Sequence, residues 1–503
     1  MTLISRRPIL VALLSVALLI PCFWHSHIQA GDLGSHTYNA WLAQLIHQGK
    51  APGLYLAWQW DNILFDLILY YFSKILGFTL AEKFAVSLCV LAFFWGVFAF
   101  IHAATRRPPW FLTPLIAMLS YGYVFNMGYM NYYFSIGLGC FALALLWPAK
   151  RRGIIAAALL LPVIYLAHPL GVLLVLGVGA YRLVWPLLKS WTRLILPAIS
   201  LLVFYAVHWI TVHRPELDGD WPDPPFYQWN GADQFTIYGQ RYVYLSWAVI
   251  ALAILAILFE LWRSPKPSPE ASSAAQPSST WPSSTWKDRW LLVEFYLISL
   301  CAMTLLPENI RPVPEGSWIG GIVTRLTLVS AIFALAVLGS LRPHPWHLAA
   351  FSLCAAFFFV FLFQDTGFLN RLEKNSEAIT RQLPFGTRVA SSVYAPPGYR
   401  PLYMHLIDRS CIAHCFLVSN YEPSTLKFRV RVDPDGSPLV ASTVDDSEAL
   451  QFGNYQVQQD DLPLKQLYQC DSSDLTKLCI RDLVAGELNG RLGYKPHFPW
   501  DKD

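Results

Sequence analysis

Residues 31–50, GDLGSHTYNAWLAQLIHQGK, decide how the chain is read. Ser35 can cap a helix through its hydroxyl. Tyr38, Trp41, Leu42, Leu45 and Ile46 then recur at i, i+3, i+4, i+7 and i+8, one apolar stripe of a helix. Asn39, Gln44, His47 and Gln48 fall on the opposite face. Following directly on a hydrophobic run at 8–24, such a segment is expected to lie along a membrane surface rather than to cross it. Asp32 and His36 sit where this segment begins, in a Gly-flanked turn. Two readings follow: the lip of an active site in an integral membrane enzyme, or an interfacial anchor with polar caps.

Composition supports the membrane setting. The chain has 503 residues, 55% of them hydrophobic and 14% charged, too apolar for a soluble globular protein. Twenty Trp and 24 Tyr supply interfacial aromatics. A net charge of +4, dispersed along the chain, gives no footprint for nucleic acid. Cys22, Cys89, Cys140, Cys301 and Cys354 lie in apolar segments and read as packing residues. Cys411, Cys415, Cys470 and Cys479 lie in a polar C-terminal stretch, where three disulfide pairings are open. A zinc site on Cys411, His414 and Cys415 is the alternative use of the first pair.

The run at 8–24, preceded by Arg6 and Arg7, is expected to stay as an uncleaved first helix, with Ile28 ill-suited to a cleavage site. Further spans are expected at 84–104, 110–125, 132–147, 153–167, 170–185, 194–212, 243–262, 290–306, 319–340 and 346–363, about eleven in all with the first. Residues 62–76 carry Asp66 and Lys74 and read as a juxtamembrane helix. That count puts Arg106, Arg107, Lys150, Arg151, Arg152, Lys189 and Arg193 inside, leaving Lys50, Arg214, Arg241 and Arg311 outside. The bias predicts an inner-membrane protein with a cytoplasmic N-terminus and an outer Asp32 loop at 25–83. Residues 263–289, rich in Ser, Pro and Ala, read as a disordered cytoplasmic linker. The expected fold is therefore an all-α polytopic bundle over 1–363, followed by an extracytoplasmic α/β domain over 364–503. In that domain β-like runs at 387–394, 415–421 and 426–432 precede helical patterns at 461–467 and 475–488.

Several outer-side features carry candidate chemistry. Asp32, with His36, can take the proton of an incoming hydroxyl; the alternative is a turn or helix-cap carboxylate. In the loop at 213–242, Asp218 and Asp220 (with Asp223) are candidate oxygen ligands for a divalent cation, Mg or Mn, or else solvated turn residues. Trp221 in the same loop suits stacking on a sugar ring or anchoring at the interface. Arg325, a few residues inside its span, is costly there unless it faces a cavity or a partner such as Glu308 or Glu315. Its planar fork suits a phosphate, with Arg311 above it. His168, before Pro169 in a tight outer turn, lines the same space or caps a hairpin. Asp66 and Glu294 stand semi-buried in apolar segments and are candidates for an ion path.

A first helix, an outer loop with an early Asp, a multi-spanning core and an extracytoplasmic C-terminal domain together resemble the GT-C glycosyltransferase superfamily. The run from Pro52-Gly53-Leu54-Tyr55 through Leu69-Tyr70-Tyr71 to Leu76-Gly77-Phe78 is similar to the segment those enzymes carry between loop and second span. The resemblance covers roughly residues 1–345. It implies a membrane enzyme that takes a sugar from a polyprenyl-phosphate carrier to a glycan, lipid or protein acceptor. It maps the catalytic acid onto Asp32, where this chain has Asp32-Leu33 in place of the Asp-Glu of many members, and the phosphate-binding residue onto Arg325. A polytopic transporter or flippase is the competing class, although no internal repeat is visible. A non-catalytic membrane scaffold is the third.

Overall fold

The computed structural model describes residues 8–189, 192–214, 216–221, 230–263, 286–312, 319–342, 344–394 and 405–490. The chain opens with α1 (Pro8–Phe23), α2 (Leu33–His47), a short strand β1 (Leu54–Leu56), α3 (Leu64–Leu76) and α4 (Phe78–Thr105). Two short helices follow, α5 (Thr113–Ser120) and α6 (Tyr123–Asn126), and then α7 (Met130–Leu146), α8 (Arg151–Ala167), α9 (Pro169–Val184) and α10 (Ile195–His213). Strand β2 (Leu217–Asp220) precedes α11 (Gln240–Arg263) and α12 (Trp286–Leu305), and β3 (Asn309–Pro312) precedes α13 (Ile322–Gly339) and α14 (Pro345–Thr380). The remainder holds β4 (Thr387–Ser392), β5 (Cys415–Leu417), α15 (Glu422–Thr425), β6 (Val430–Val432), α16 (Val444–Phe452), β7 (Lys465–Gln469) and β8 (Leu478–Asp482).

Among the described residues six helices are long and apolar enough to cross a bilayer: α4, α11, α13, α14, and α9 and α10 with their 3-10 extensions (Pro169–Leu187 and Thr192–His213). They fit a membrane-embedded protein. The count of eleven is not reproduced. α1, α7 and α8 have 16, 17 and 17 residues, about 24–26 Å at ~1.5 Å per residue against ~30 Å of hydrocarbon. The expected span at 110–125 is broken into a 3-10 turn, α5 and α6, and α12 carries Glu294, which accepts from Trp185 Nε1 at 3.2 Å. The linker expected at 263–289 falls mostly on residues outside the described set.

At the centre α4 crosses α7 at very short range. A Cβ on Gly96 would collide with the Gly137 carbonyl, and one on Gly137 would stand 2.7 Å from the Phe93 backbone. Without those two hydrogens-for-side-chains the helix backbones could not touch, which is how small residues let membrane helices associate. Phe93 stacks on Tyr133 beside the crossing, with centroids 4.5 Å apart.

The boundary expected at 363 is not a break. α14 has 36 residues, so it continues about 25 Å past Phe363 at ~1.5 Å per residue. Hydropathy falls there because Asp365, Asn370, Glu373, Ser376 and Thr380 are buried polar residues rather than solvated ones. Asn370, for instance, accepts from His27 N and donates to His27 O, both at 2.9 Å.

The C-terminal region contains a four-stranded sheet in the order β5-β4-β7-β8, with β4 parallel to both neighbours and β7–β8 antiparallel. Alternation along β4 sends Val389 into the main core and Ala390 into a smaller cluster with Val418, Leu450 and Leu464. The helices expected at 461–467 and 475–488 are strands β7 and β8 instead. Pairing with β4 and the Cys470–Cys479 bridge across the hairpin outweigh local helical preference. Strand β6 pairs not with this sheet but with β1, at Leu54↔Val432 and Leu56↔Val430. One continuous core therefore runs from the spanning helices into the C-terminal region.

Replacing Gly96 with Val should destabilise the α4–α7 contact by about 1–3 kcal/mol, the usual range for overpacking. A lowered melting midpoint of the purified protein in detergent checks this. Val at Gly177, where a Cβ meets nothing within 4 Å, should leave the midpoint in place.

Candidate functional site

Helix α2 is enclosed on nearly every side rather than lying half-solvated at a surface. Every residue from Leu33 to Ala43 is buried, because the C-terminal region docks at Ser35, Tyr38, Asn39 and Trp41 while α3 covers Gln44. Ser35 is not the cap. The N-cap position is Asp32, and the Ser35 hydroxyl, inside the helix, donates to Glu422 Oε1 at 3.1 Å. Tyr38 accepts from the Leu417 amide at 2.9 Å, and Asn39 and Asn420 exchange amide bonds at 3.2 and 2.9 Å. Gly34 lies against the His405 carbonyl so closely that no Cβ would fit. Polar residues with partners satisfy their hydrogen bonds as well inside as in water.

The Asp32 turn is fixed from the other side by the turn between α6 and α7: Gly31 N donates to Asn126 O at 2.7 Å and Asp32 N to Met127 O at 3.0 Å. The Asp32 side chain opens onto a cavity of about 370 Å³. His36, His168 and Arg325 line the same cavity, with Tyr129, Tyr132 and, from the C-terminal region, His405, Tyr421, Lys427 and Glu448.

Arg325 lies one turn into α13. Its guanidinium stands over the Tyr129 ring at 4.4 Å and donates through Nη1 to the Gly320 carbonyl. Its Nε is buried with no hydrogen-bond partner, and among the described residues no carboxylate pairs with the group. Glu308, one of the two acids named as its alternative partner, accepts from the Thr324 amide and hydroxyl at 3.0 and 2.7 Å. Glu315 lies outside the described residues. An arginine with donors to spare, facing a cavity, is equipped for an anionic oxygen. His168 both caps and lines: its Nδ1 accepts from Leu170 N at 3.2 Å, and its ring packs on Tyr132. Burial, with the Arg325 charge adding to it, pushes this histidine down to about 3, so it meets the cavity uncharged.

Acids crowd the other wall. His36 bonds Asp66 at 2.7 Å, Asn131 donates to the second Asp66 oxygen at 2.7 Å, and Glu422 stands 4.0 Å from the same ring. Burial works against the charged imidazole, but the Asp66 carboxylate, then Glu422 and Asp32, push His36 up to about 9. Burial lifts Glu422 above the usual carboxylate range, His36 offsetting part of the rise. Sequence reading singled out Asp66 without its partner and passed over Glu422, Asn131, Tyr129 and His405. His405 and Asp408 do carry a local signal, an i, i+3 His–Asp spacing, yet nothing in the chain says it faces residue 32.

Other candidates stand elsewhere. Asp218 and Asp220 lie on β2, paired with β3, and Asp220 accepts from Asn309 at 2.9 Å. Among the described residues no group of three or more His, Cys, Asp or Glu is placed to hold a metal; Asp223 is outside them. Arg311, on β3, reaches toward Asp445 at 3.8 Å. Trp221 packs on His208 and donates to Leu305 O at 3.4 Å. Asp218, Asp220, Trp221 and Arg311 are not among the residues that line the cavity, although Arg311 acts on Glu448, which is. Cys411 is disulfide-bonded to Cys415, which consumes the thiolates a zinc site would need.

Behind α2 a buried ion network ties the layers together. Arg409 makes a two-pronged contact with Glu373, Nε to Oε1 and Nη2 to Oε2, both 2.8 Å. Its Nη1 reaches Glu82 at 2.7 Å and Ile28 O at 2.9 Å. Gln29 donates to Glu373 at 2.6 Å and Thr37 to Glu82 at 2.7 Å.

Arg409→Met should cost ~3–5 kcal/mol, since it strands two buried carboxylates; melting midpoint and accumulation of the protein in membranes read this out. The His36 pair gives a pH dependence. A folded-state value of about 9 against 6.5 means a stabilisation fully present below pH 6.5 and lost as pH rises through 9. The melting midpoint should fall across that window, and Asp66→Asn should flatten the fall. The chain matches no family model, no curated protein and no solved structure, so what the cavity does rests on the residues that line it.

Proposed function

We propose that this chain is an integral membrane glycosyltransferase of GT-C type, moving a sugar from a polyprenyl-phosphate carrier to an extracytoplasmic acceptor. The observation that carries this reading is one cavity lined both by a carboxylate, Asp32, and by a guanidinium, Arg325, that no carboxylate among the described residues pairs with. In this reading the carrier phosphate sits against Arg325, and the sugar lies among Tyr129, Tyr132 and Tyr421. The acceptor hydroxyl approaches the anomeric carbon beside Asp32. The new C–O bond forms as the bond from carbon to the phosphate oxygen breaks, with its electron pair leaving on the phosphate. The hydroxyl proton passes to Asp32. A guanidinium aimed at the departing phosphate lowers the barrier to the extent that it binds the leaving form better than the bound ester.

The predicted setting is the inner membrane, with the N-terminus cytoplasmic and the cavity on the outer side. Supporting that side are the Cys411–Cys415 and Cys470–Cys479 disulfides, a chemistry that persists in oxidising compartments.

Mass spectrometry of glycolipids and surface polymers from a strain lacking the gene should show one lost sugar and one accumulated carrier. Wild-type chain should restore the product. Asp32→Asn, at matched protein level, should lower it by ~10²–10⁴-fold, the usual weight of a general base. Undiminished product in that variant would remove the assignment. Movement of a lipid-linked sugar across vesicles without covalent product would favour a transporter.

A further inference from the structure

Asp32 does not face the cavity alone. The His405 ring stands behind it, Nε2 to Asp32 Oδ1 at 3.9 Å, while Nδ1 bonds Asp408 Oδ2 at 3.2 Å. The Asp408 bond turns Nε2 toward Asp32 and the cavity. The ring is 3% exposed and Asp408 0%, and Tyr421 packs on the ring with centroids 4.9 Å apart. The His405 carbonyl is seated on Gly34, two residues beyond Asp32. Asp408 Oδ1 is buried and has no hydrogen-bond partner among the described residues. A carboxylate left half-satisfied is a poor stabilising element, and an apolar pair of the same volume would hold this packing at least as well. Nothing about packing calls for a histidine here.

We infer that the C-terminal region completes the centre: His405, anchored by Asp408, is a positioning residue that orients and charge-balances the Asp32 carboxylate. Its kinetic consequence rests on the glycosyl-transfer reading; its electrostatic consequence does not. Three acids face the ring: Asp32 from the turn before α2, Asp408 from its own turn, and Glu422 from α15. Arg409, in turn, acts on Asp408. Burial works against a charged ring, but the three acids outweigh it and raise His405 above its ordinary value. The cation among those acids keeps the cavity open to an anionic phosphate ester. It is lost as pH rises through the raised value. Without Asp408 that loss comes at lower pH.

Two measurements on the full-length protein test this. The first follows the histidine side chains of the protein in lipid nanodiscs by NMR as pH is varied. His405, assigned by its loss in His405→Gln, should titrate above the ordinary histidine range and should drop in both Asp408→Asn and Asp32→Asn. An unmoved titration in Asp32→Asn overturns the proposal whatever the protein catalyses.

The second follows product formation by spheroplasts of the complemented strain, with the medium setting the outer pH. His405→Gln at matched protein level should slow it by about 100-fold, the scale of a misoriented group. Added imidazole should restore part of the rate to His405→Gly, and Asp408→Asn should move the basic limb of the profile to lower pH. His36, with its own limb near pH 9, is common to all variants. A His405→Gln rate within a factor of two of wild type overturns the inference, as does a loss that imidazole leaves untouched together with an unshifted Asp408→Asn profile. Full product from Asp32→Asn, by contrast, removes the transferase reading and leaves the NMR result to stand or fall alone.

Discussion

The guanidinium of Arg409 is the joint on which the rest depends. It meets carboxylates from α14 and α4 and a carbonyl just ahead of α2, all within 2.9 Å. Three of the elements it joins are far apart in sequence, and a lysine could not serve, since a point charge has no fork to match Glu373. Ion pairs of this kind add little net stability against an apolar replacement. Their effect is to specify: the 28–32 segment, α4, α14 and the C-terminal region are held in the arrangement in which Arg409, Glu82 and Glu373 meet.

That arrangement explains why the C-terminal region is not an appended domain. It shares a sheet with the first loop through β1–β6 and covers α2 at Ser35, Tyr38 and Asn39. It also supplies one wall of the Asp32 cavity. The acids and cations there are arranged in layers: Arg325 and the neutral His168 on the side of the spanning helices, His36 and His405 among Asp32, Asp66 and Glu422 on the other.

What could be read from the chain depended on whether the cost of a residue is local. Arg325 in an apolar span and Asp32 beside an amphipathic stripe announce themselves, since each is expensive where it stands. The strands β4 and β5 fall in the short β-like runs at 387–394 and 415–421. The polar residues of α2 are different: Ser35 and Asn39 read equally well as water-facing or as partnered, and their partners, Glu422 and Asn420, lie hundreds of residues later. The same holds for α14, whose buried Asp365, Asn370 and Glu373 look like a soluble stretch. At 461–488 leucine spacing favoured helix, and a long-range pairing with β4 decided otherwise.

The seat of His405 on Gly34 sets a timetable for biosynthesis. The two contacting residues are made roughly 370 positions apart, a delay of ~20–75 s at 5–20 residues per second. Until the C-terminal region is made, Ser35 and Asn39 lack their partners, Asp32 has no wall opposite it, and Glu82 waits without its cation. A chain that stops before Asp408 therefore leaves Trp41 without Phe416 and Glu82 without Arg409, and uncovered apolar surface of this kind is what holdases and quality-control proteases engage.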